Sequence, residues 1–281
     1  KASAAGTSEL SLLDKIVLEG KMAIEPSQGE YAKKMLGQFA TQILDEGMKT
    51  APNKGVVAMI NERVAEIDRI LSDQLNAIMH HEQFQALEAS WVGLHDMVFG
   101  SETSTSLKLR LLNVSKKELL KDLEGAVDHD MSVLFKKVYE DEYGTFGGHP
   151  YSVLIGDYYF GRHPQDMALL QRLSKVAAAS HAPFISAAAP SLFDMGSFTD
   201  LGVPRDLSKI FESAELATWR SFRDSEDSRY VSLVLPRYAA RLPYGPDTKP
   251  VESFNFVEDV DGTDHSKYLW ANSSYQLGLR L

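Results

Sequence analysis

Cysteine is absent from the 281 residues, which excludes a disulfide framework, thiolate catalysis, Cys-ligated zinc and iron-sulfur clusters and weakly favours a reducing compartment. No stretch approaches the ~20 apolar residues that span a bilayer. Lys1 to Gly6 lacks the long apolar run behind a basic flank that marks a secretion signal. No membrane insertion is therefore expected, and the cytoplasm is the default compartment. Positive charge is scarce: 29 basic against 39 acidic residues leave a formal charge of -10. That balance argues against a general affinity for nucleic acid or anionic membrane and in favour of a protein partner. Internal repeats and low-complexity tracts are also missing, which removes solenoids and disordered tails.

What is present begins with helices. The chain is long enough for one large domain or two smaller ones with a core of their own. Leu10, Leu13, Ile16 and Val17 recur at helical spacing behind Ser8 and Ser11, either of which could cap a short amphipathic helix that Gly20 and Pro26 end. A second helix is expected from about Glu30 to Met48, its apolar stripe drawn by Tyr31, Met35, Phe39, Ile43 and Leu44, before Pro52, Asn53 and Gly55 break the chain. A third stretch carries Ile60, Val64, Ile67, Leu71, Leu75 and Ile78, then Phe84, Leu87, Trp91, Leu94 and Val98. Such stripes serve either a core of the chain's own or a coiled coil with a partner subunit.

The pattern changes after Gly100. The Ser/Thr-rich Ser101 to Ser106 leads into Leu107 to Val114, which suits a strand, and further strands are expected at Tyr151 to Ile155, Pro183 to Ala188 and Tyr230 to Leu235. Helical patterns at Lys116 to Leu123, Asp130 to Tyr139, Pro164 to Ser180 and Leu216 to Phe222 alternate with them. The fold class expected is thus α/β, an N-terminal helical arm followed by a mixed domain with helices packed on a sheet. Expected divisions are 1–103, 104–240 and a loop and strand-rich 241–281. Leu277, Leu279 and Leu281 alternate like the opening of a strand that lacks its pairing partner, so a further C-terminal part is expected.

Catalytic fingerprints are weak. Tyr143 to Pro150 is glycine-rich but precedes a strand, where phosphate-binding glycines would follow one, so a tight turn is expected. Histidine and carboxylate neighbours (His80, His81 and Glu82; Asp128, His129 and Asp130) lack HExxH or comparable ligand spacing and read as solvated surface. Asp157, at the expected end of a strand, is the best single enzymatic candidate; with His163 it could anchor a metal-assisted hydrolase, but no nucleophile or base partner can be named. Ser186 to Ser191 offers no GxSxG elbow and suits close packing. The mixed run Arg220 to Arg229 is a solvated face or a subunit contact. No catalytic residue, cofactor or metal is expected.

In order and wording, several of these segments resemble the large subunit of the type VI secretion sheath, the family often called TssC or VipB. The blocks are Glu88-Ala89-Ser90-Trp91-Val92-Gly93-Leu94, Leu119-Leu120-Lys121-Asp122-Leu123, Tyr139 to Gly148 and Leu154-Ile155-Gly156-Asp157-Tyr158. His181 to Ile185, Trp219 to Arg223, Ser225 to Val231, Leu235-Pro236-Arg237, Arg241 to Gly245 and Leu269 to Asn272 follow. The likeness runs from about residue 84 to 275.

The resemblance implies a structural subunit and not an enzyme. It would pair with a small sheath subunit, stack with other sheath protomers around an inner tube above a baseplate, and drive the tube outward by contraction. Contraction needs no catalytic site: subunits that slide into larger, better-packed contacts release energy stored during assembly. The helical stripes would then offer the small subunit Met35, Phe39, Ile43, Ile60, Val64, Ile67 and Leu71. A hexameric AAA+ unfoldase would grip Leu12, Leu13, Ile16 and Val17 to dismantle contracted sheaths, and tube contact would lie mainly in the family's C-terminal part. A phage-like tail sheath protein shares the contractile logic and stands as an alternative.

Overall fold

The α/β class expected from the residue pattern is the one the chain adopts. The structure is a computed structural model and describes residues 12–20, 25–50, 56–203 and 206–281. Its α-helices are α1 (Leu12–Glu19), α2 (Gly29–Thr50), α3 (Val56–Met79), α4 (Glu82–Gly100), α5 (Lys116–Gly125), α6 (Val133–Phe135), α7 (Pro164–Ser180), α8 (Leu207–Ile210), α9 (Ala217–Arg223) and α10 (Ser274–Arg280). Its strands are β1 (Leu154–Phe160), β2 (Phe184–Ala188), β3 (Val231–Val234), β4 (Tyr238–Ala239) and β5 (Trp270–Ala271). The chain divides into two compact units, one of Lys1–Asn76 with Tyr244–Glu258 and one of Ala77–Pro243 with Asp259–Leu281.

In the first unit α1 packs on α2, with Val17 buried and Asp14 paired to Lys33. Hydrogen bonds to Asp14 and then Glu30 hold the Lys33 ammonium well above the ordinary lysine range. The segment Tyr244–Glu258 returns from late in the sequence to lie along α3, where Asn255 donates to Asp68 at 3.2 Å and Asn76 donates to the Val257 carbonyl at 3.2 Å. Phe256 is buried between the rings of Tyr244 and Phe254. The buried Glu258 carboxylate is not left unsatisfied, since it accepts the Tyr244 N–H at 2.8 Å.

The second unit is built on a parallel sheet of order β1-β2-β3. Every residue of β2 is buried, as its uninterrupted apolar and small run requires of a central parallel strand. The ladder between β1 and β2 shifts register between Ile155 and Tyr159. The Ser186 hydroxyl sits 2.8 Å from both the Gly156 and the Tyr158 carbonyls at that irregularity. Ser186 is fully buried, the close packing expected of it. Helix α7 covers the sheet with Met167, Leu169, Leu170, Leu173 and Val176 all inside. It starts at the N1 proline Pro164 and stops at His181, which takes a left-handed φ of 52°. Ser115 and Glu118 form a capping box that starts α5 and turns Leu119 and Leu123 into the same core.

Four expectations are corrected. Leu107 to Val114 joins no sheet among the described residues. The helix expected over Asp130 to Tyr139 is broken, because Ser132 caps a new start at Phe135 N–H (3.1 Å) and the Asp122 carboxylate takes the N–H groups of Val133 and Leu134, each at 3.0 Å. The turns that follow, Lys136–Tyr143, are π-helical, and the rings of Phe135, Tyr139 and Tyr143 stack at 4.9 and 5.2 Å. The stretch from Ile60 to Val98 is likewise two helices, parted where His81 adopts an extended backbone. Finally, Leu277, Leu279 and Leu281 do not open a strand: α10 occupies Ser274–Arg280 and docks on α4. The tight turn expected at Tyr143 to Pro150 is present, with Gly147 at a φ of +82°.

Candidate assembly surfaces

The apolar rows of the first unit are open. Met35 on α2 and Ile60, Val64, Ile67 and Leu71 on α3 are all exposed, as are Tyr31, Val57 and Ile70, while Phe39 is half-buried. The spacing of four, three and four from Ile60 to Leu71 places that set on one face of α3. The side chains of Leu12, Leu13 and Ile43 lie outside the described residues, as do Ser8, Ser11, Pro52, Asn53 and Gly55. Of the two remaining residues of the α1 set, Ile16 is exposed and Val17 is only 4% exposed.

In the second unit α4 has three distinct faces. One carries small residues against α10 and β1: Ser90 donates to Asp157, Gly93 meets the Tyr275 ring, and Met97 lies beside Gly278. Another is polar: Gln85 donates to the Ser266 carbonyl at 3.0 Å, and Arg241 reaches Glu88 through Nε at 2.7 Å and Nη2 at 3.4 Å. The third carries Phe84, Leu87 and Trp91, all exposed, Trp91 to 61%. It escaped the set of partner-binding residues expected from the sequence, although Ser90 and Gly93 were the signal: small residues three apart on a helix mark a side that packs closely.

Asp157 lies in the middle of β1 and not at its end. Its Oδ2 accepts from the Ser90 hydroxyl at 2.5 Å, and it also hydrogen-bonds the Tyr275 phenol. Burial first, and then the Asp157 charge, push that phenol well above the ordinary tyrosine range. The His163 Nδ1 accepts the Gln165 N–H at 3.3 Å at the start of α7. Asp157 is thereby engaged in joining α4 and α10 to the sheet. Among the described residues no group of three His, Cys, Asp or Glu is placed to hold a metal ion. No helix among them is long and apolar enough to cross a membrane. Arg220 turns inward, donating to the carbonyls of Phe211 and Ser213 at 2.6 Å each, whereas Arg229 is exposed and pairs with Glu226 at 3.2 Å.

Open apolar rows are features of a protein that assembles, and known proteins similar to the chain say which kind. The VipB family model, described as EvpB/VC_A0108, tail sheath N-terminal domain, matches residues 61–281. The chain belongs to this tail sheath family. It is also 52% identical over 227 residues to the type VI secretion system sheath protein TssC1 of Pseudomonas aeruginosa, a match that covers 80% of this chain and 46% of that protein. The chain thus spans about half the length of the curated relative it matches. The aliphatic residues exposed on α3 and α4 form apolar surface of the kind that marks protein–protein contact.

Proposed function

We propose that the chain is the large subunit of the type VI secretion contractile sheath, pairing with a small sheath subunit and polymerising with other protomers around an inner tube that contraction ejects. The observation that carries this reading is the 52% identity to a named sheath protein across four-fifths of the chain. The physical support is the open row of Ile60, Val64, Ile67 and Leu71, with Met35 and Phe39 on α2, as the seat of the small subunit. A solvent-exposed aliphatic row gains about 25 cal/mol for each Å² of apolar surface it buries, so a helix of a partner laid on it is a favoured occupant.

Within this reading the chain works in the bacterial cytoplasm and needs no catalytic group or cofactor. Its further partners are the inner tube protein, the baseplate and an AAA+ unfoldase that acts on α1. Val17 is buried, so a grip on Ile16 and Val17 requires α1 to be lifted from α2 first, which makes the contact between those helices a gate on disassembly. The reading is tested by co-expressing the chain with the small sheath subunit of the same bacterium and weighing the purified species by light scattering. A stoichiometric complex is the expected result; a stable monomer that ignores the small subunit would sink the reading.

A further inference from the structure

The glycine-rich turn after the π-helical segment holds out a side chain that its own fold does not use. Phe146 is wholly exposed, at 107%, yet the turn beneath it is tied down. The Gly144 N–H donates to the Tyr139 carbonyl at 2.7 Å, the Thr145 hydroxyl to the Glu140 carbonyl at 2.5 Å and the Gly148 N–H to the Thr145 carbonyl at 3.0 Å. A Cβ at Gly148 would run into the Glu142 carbonyl. The Glu142 carboxylate accepts the His149 N–H at 2.8 Å and is anchored by Arg110. A phenylalanine on such a turn adds no burial to its own chain, and it loses little freedom when it is buried against another. On the stem of the same turn Glu140 and Asp141 are exposed, and neither forms an ion pair among the described residues.

The same unit carries a surface that complements this turn. An open groove of about 500 Å³ lies between α5 and the start of α7, lined by Lys117, Leu120, Lys121, Glu124, Gly125 and Gln165. Lys117 and Lys121 stand one helical turn apart, both exposed. Lys116 beside them is held by Asp166 at 2.6 Å, whereas neither Lys117 nor Lys121 forms an ion pair among the described residues. Two lysines against Glu124 leave the groove an apolar slot with a cationic rim. We propose that Phe146 of one copy enters this groove on a second copy of the chain, with Glu140 and Asp141 of the first set against Lys117 and Lys121 of the second. No residue of the turn lines the groove of its own chain, so the contact joins different copies. The two surfaces are unlike, which makes the contact heterologous: every copy in a row keeps one end free, and the row grows past a dimer. The α3 row takes no part, so this contact goes beyond the sheath reading and does not depend on the small subunit.

The experiment is sedimentation velocity on the full chain, for the wild type, Phe146→Ala and the double variant Lys117→Glu with Lys121→Glu, up to about 1 mM, where weak contacts register. All three positions are exposed, so the fold should be kept, which far-UV circular dichroism checks. The wild type is expected to form species that grow past a dimer with concentration, and each variant to weaken association at least about tenfold. Mixing the two variants joins the intact groove of Phe146→Ala to the intact turn of the lysine variant. One contact is restored, so the mixture should form dimers and stop there. A second arm reverses the charges: Glu140→Lys with Asp141→Lys should bind the lysine variant and not the wild type. A wild type that stays monomeric or halts at a dimer overturns the proposal, as do variants that associate like the wild type or a mixture no larger than its parts. Each of those outcomes leaves the sheath reading standing, because that reading turns on the small subunit.

Discussion

Gly93 on α4 lies flat against the ring of Tyr275 on α10: a Cβ added at Gly93 would sit 2.5 Å from Tyr275 Cδ2. That approach is what lets α10 settle on α4 with Gly278 against Met97 and Ile155. Alanine at an unhindered helical glycine stabilises by about 0.5–1 kcal/mol. Here the added methyl must displace a buried ring, a cost of about 1–3 kcal/mol, and the clash wins. Gly93→Ala is expected to lower the midpoint of urea unfolding. Gly37→Ala on α2, where a Cβ meets nothing within 4 Å, should raise it, and equal effects at both sites would refute the argument.

A second expectation concerns the pair that ties α4 to the segment after β4. The Arg241 and Glu88 side chains are only 8% and 17% exposed, so neither charge is well hydrated. Removing one partner strands the other, at about 3–5 kcal/mol. Glu88→Gln and Arg241→Met are each expected to cost several kcal/mol in denaturant titration, and the double variant should cost less than the sum. Additive losses would show that the two groups act independently. Arg241→Lys should recover little, because an ammonium does not reproduce the guanidinium fork.

Much of the second unit could be read in advance. The residues of α7 announce both ends, and β2 and β3 are short apolar runs whose buried character needs no context. What escaped depended on neighbours distant in sequence. A strand is defined by its ladder, and nothing local in Leu107 to Val114 says that it pairs with no strand among the described residues. At the other end, Leu277, Leu279 and Leu281 satisfy a period of two over a few residues, but Leu277 and Leu279 lie in α10, which packs against α4, and Leu281 is its C-cap. The return of Tyr244–Glu258 to α3, made by Asn255 to Asp68 across 187 positions, leaves no local trace. The helical stripes that carry Ile60 to Leu71 and Phe84 to Trp91 were legible from their spacing, and both rows are exposed.

The Trp91 face supports a third expectation. Leu87→Asp and Trp91→Asp replace apolar groups that are mostly exposed, so the melting temperature of the isolated chain should stay within the shift expected of about 0.5 kcal/mol. Association is another matter: a central, exposed tryptophan is the residue type that dominates binding energy. Co-purification with sheath partners should fall at least about tenfold for Trp91→Asp, a loss of about 1.4 kcal/mol or more. If both substitutions leave association intact, the face is idle and the partners dock elsewhere, with Ile67→Asp and Leu71→Asp the next variants to compare.

The last expectation is a pH dependence at the alkaline end. Burial, ahead of the nearby charges, raises the phenols of Tyr158 and Tyr159 to about 12 and that of Tyr275 further still. Unfolded tyrosine titrates near 10. Between those values the unfolded chain has lost protons that the folded chain retains, so stability falls as pH rises. The contribution is complete below about pH 10 and is lost progressively toward pH 12 and above. Urea midpoints measured at pH 9, 10 and 11 should therefore decline for the wild type. In Tyr275→Phe the phenol whose range is raised most is gone; its midpoint starts lower for want of the Asp157 hydrogen bond but should decline less steeply. Parallel slopes for the two proteins would mean that Tyr275 is not protected from ionisation by its place beneath α4.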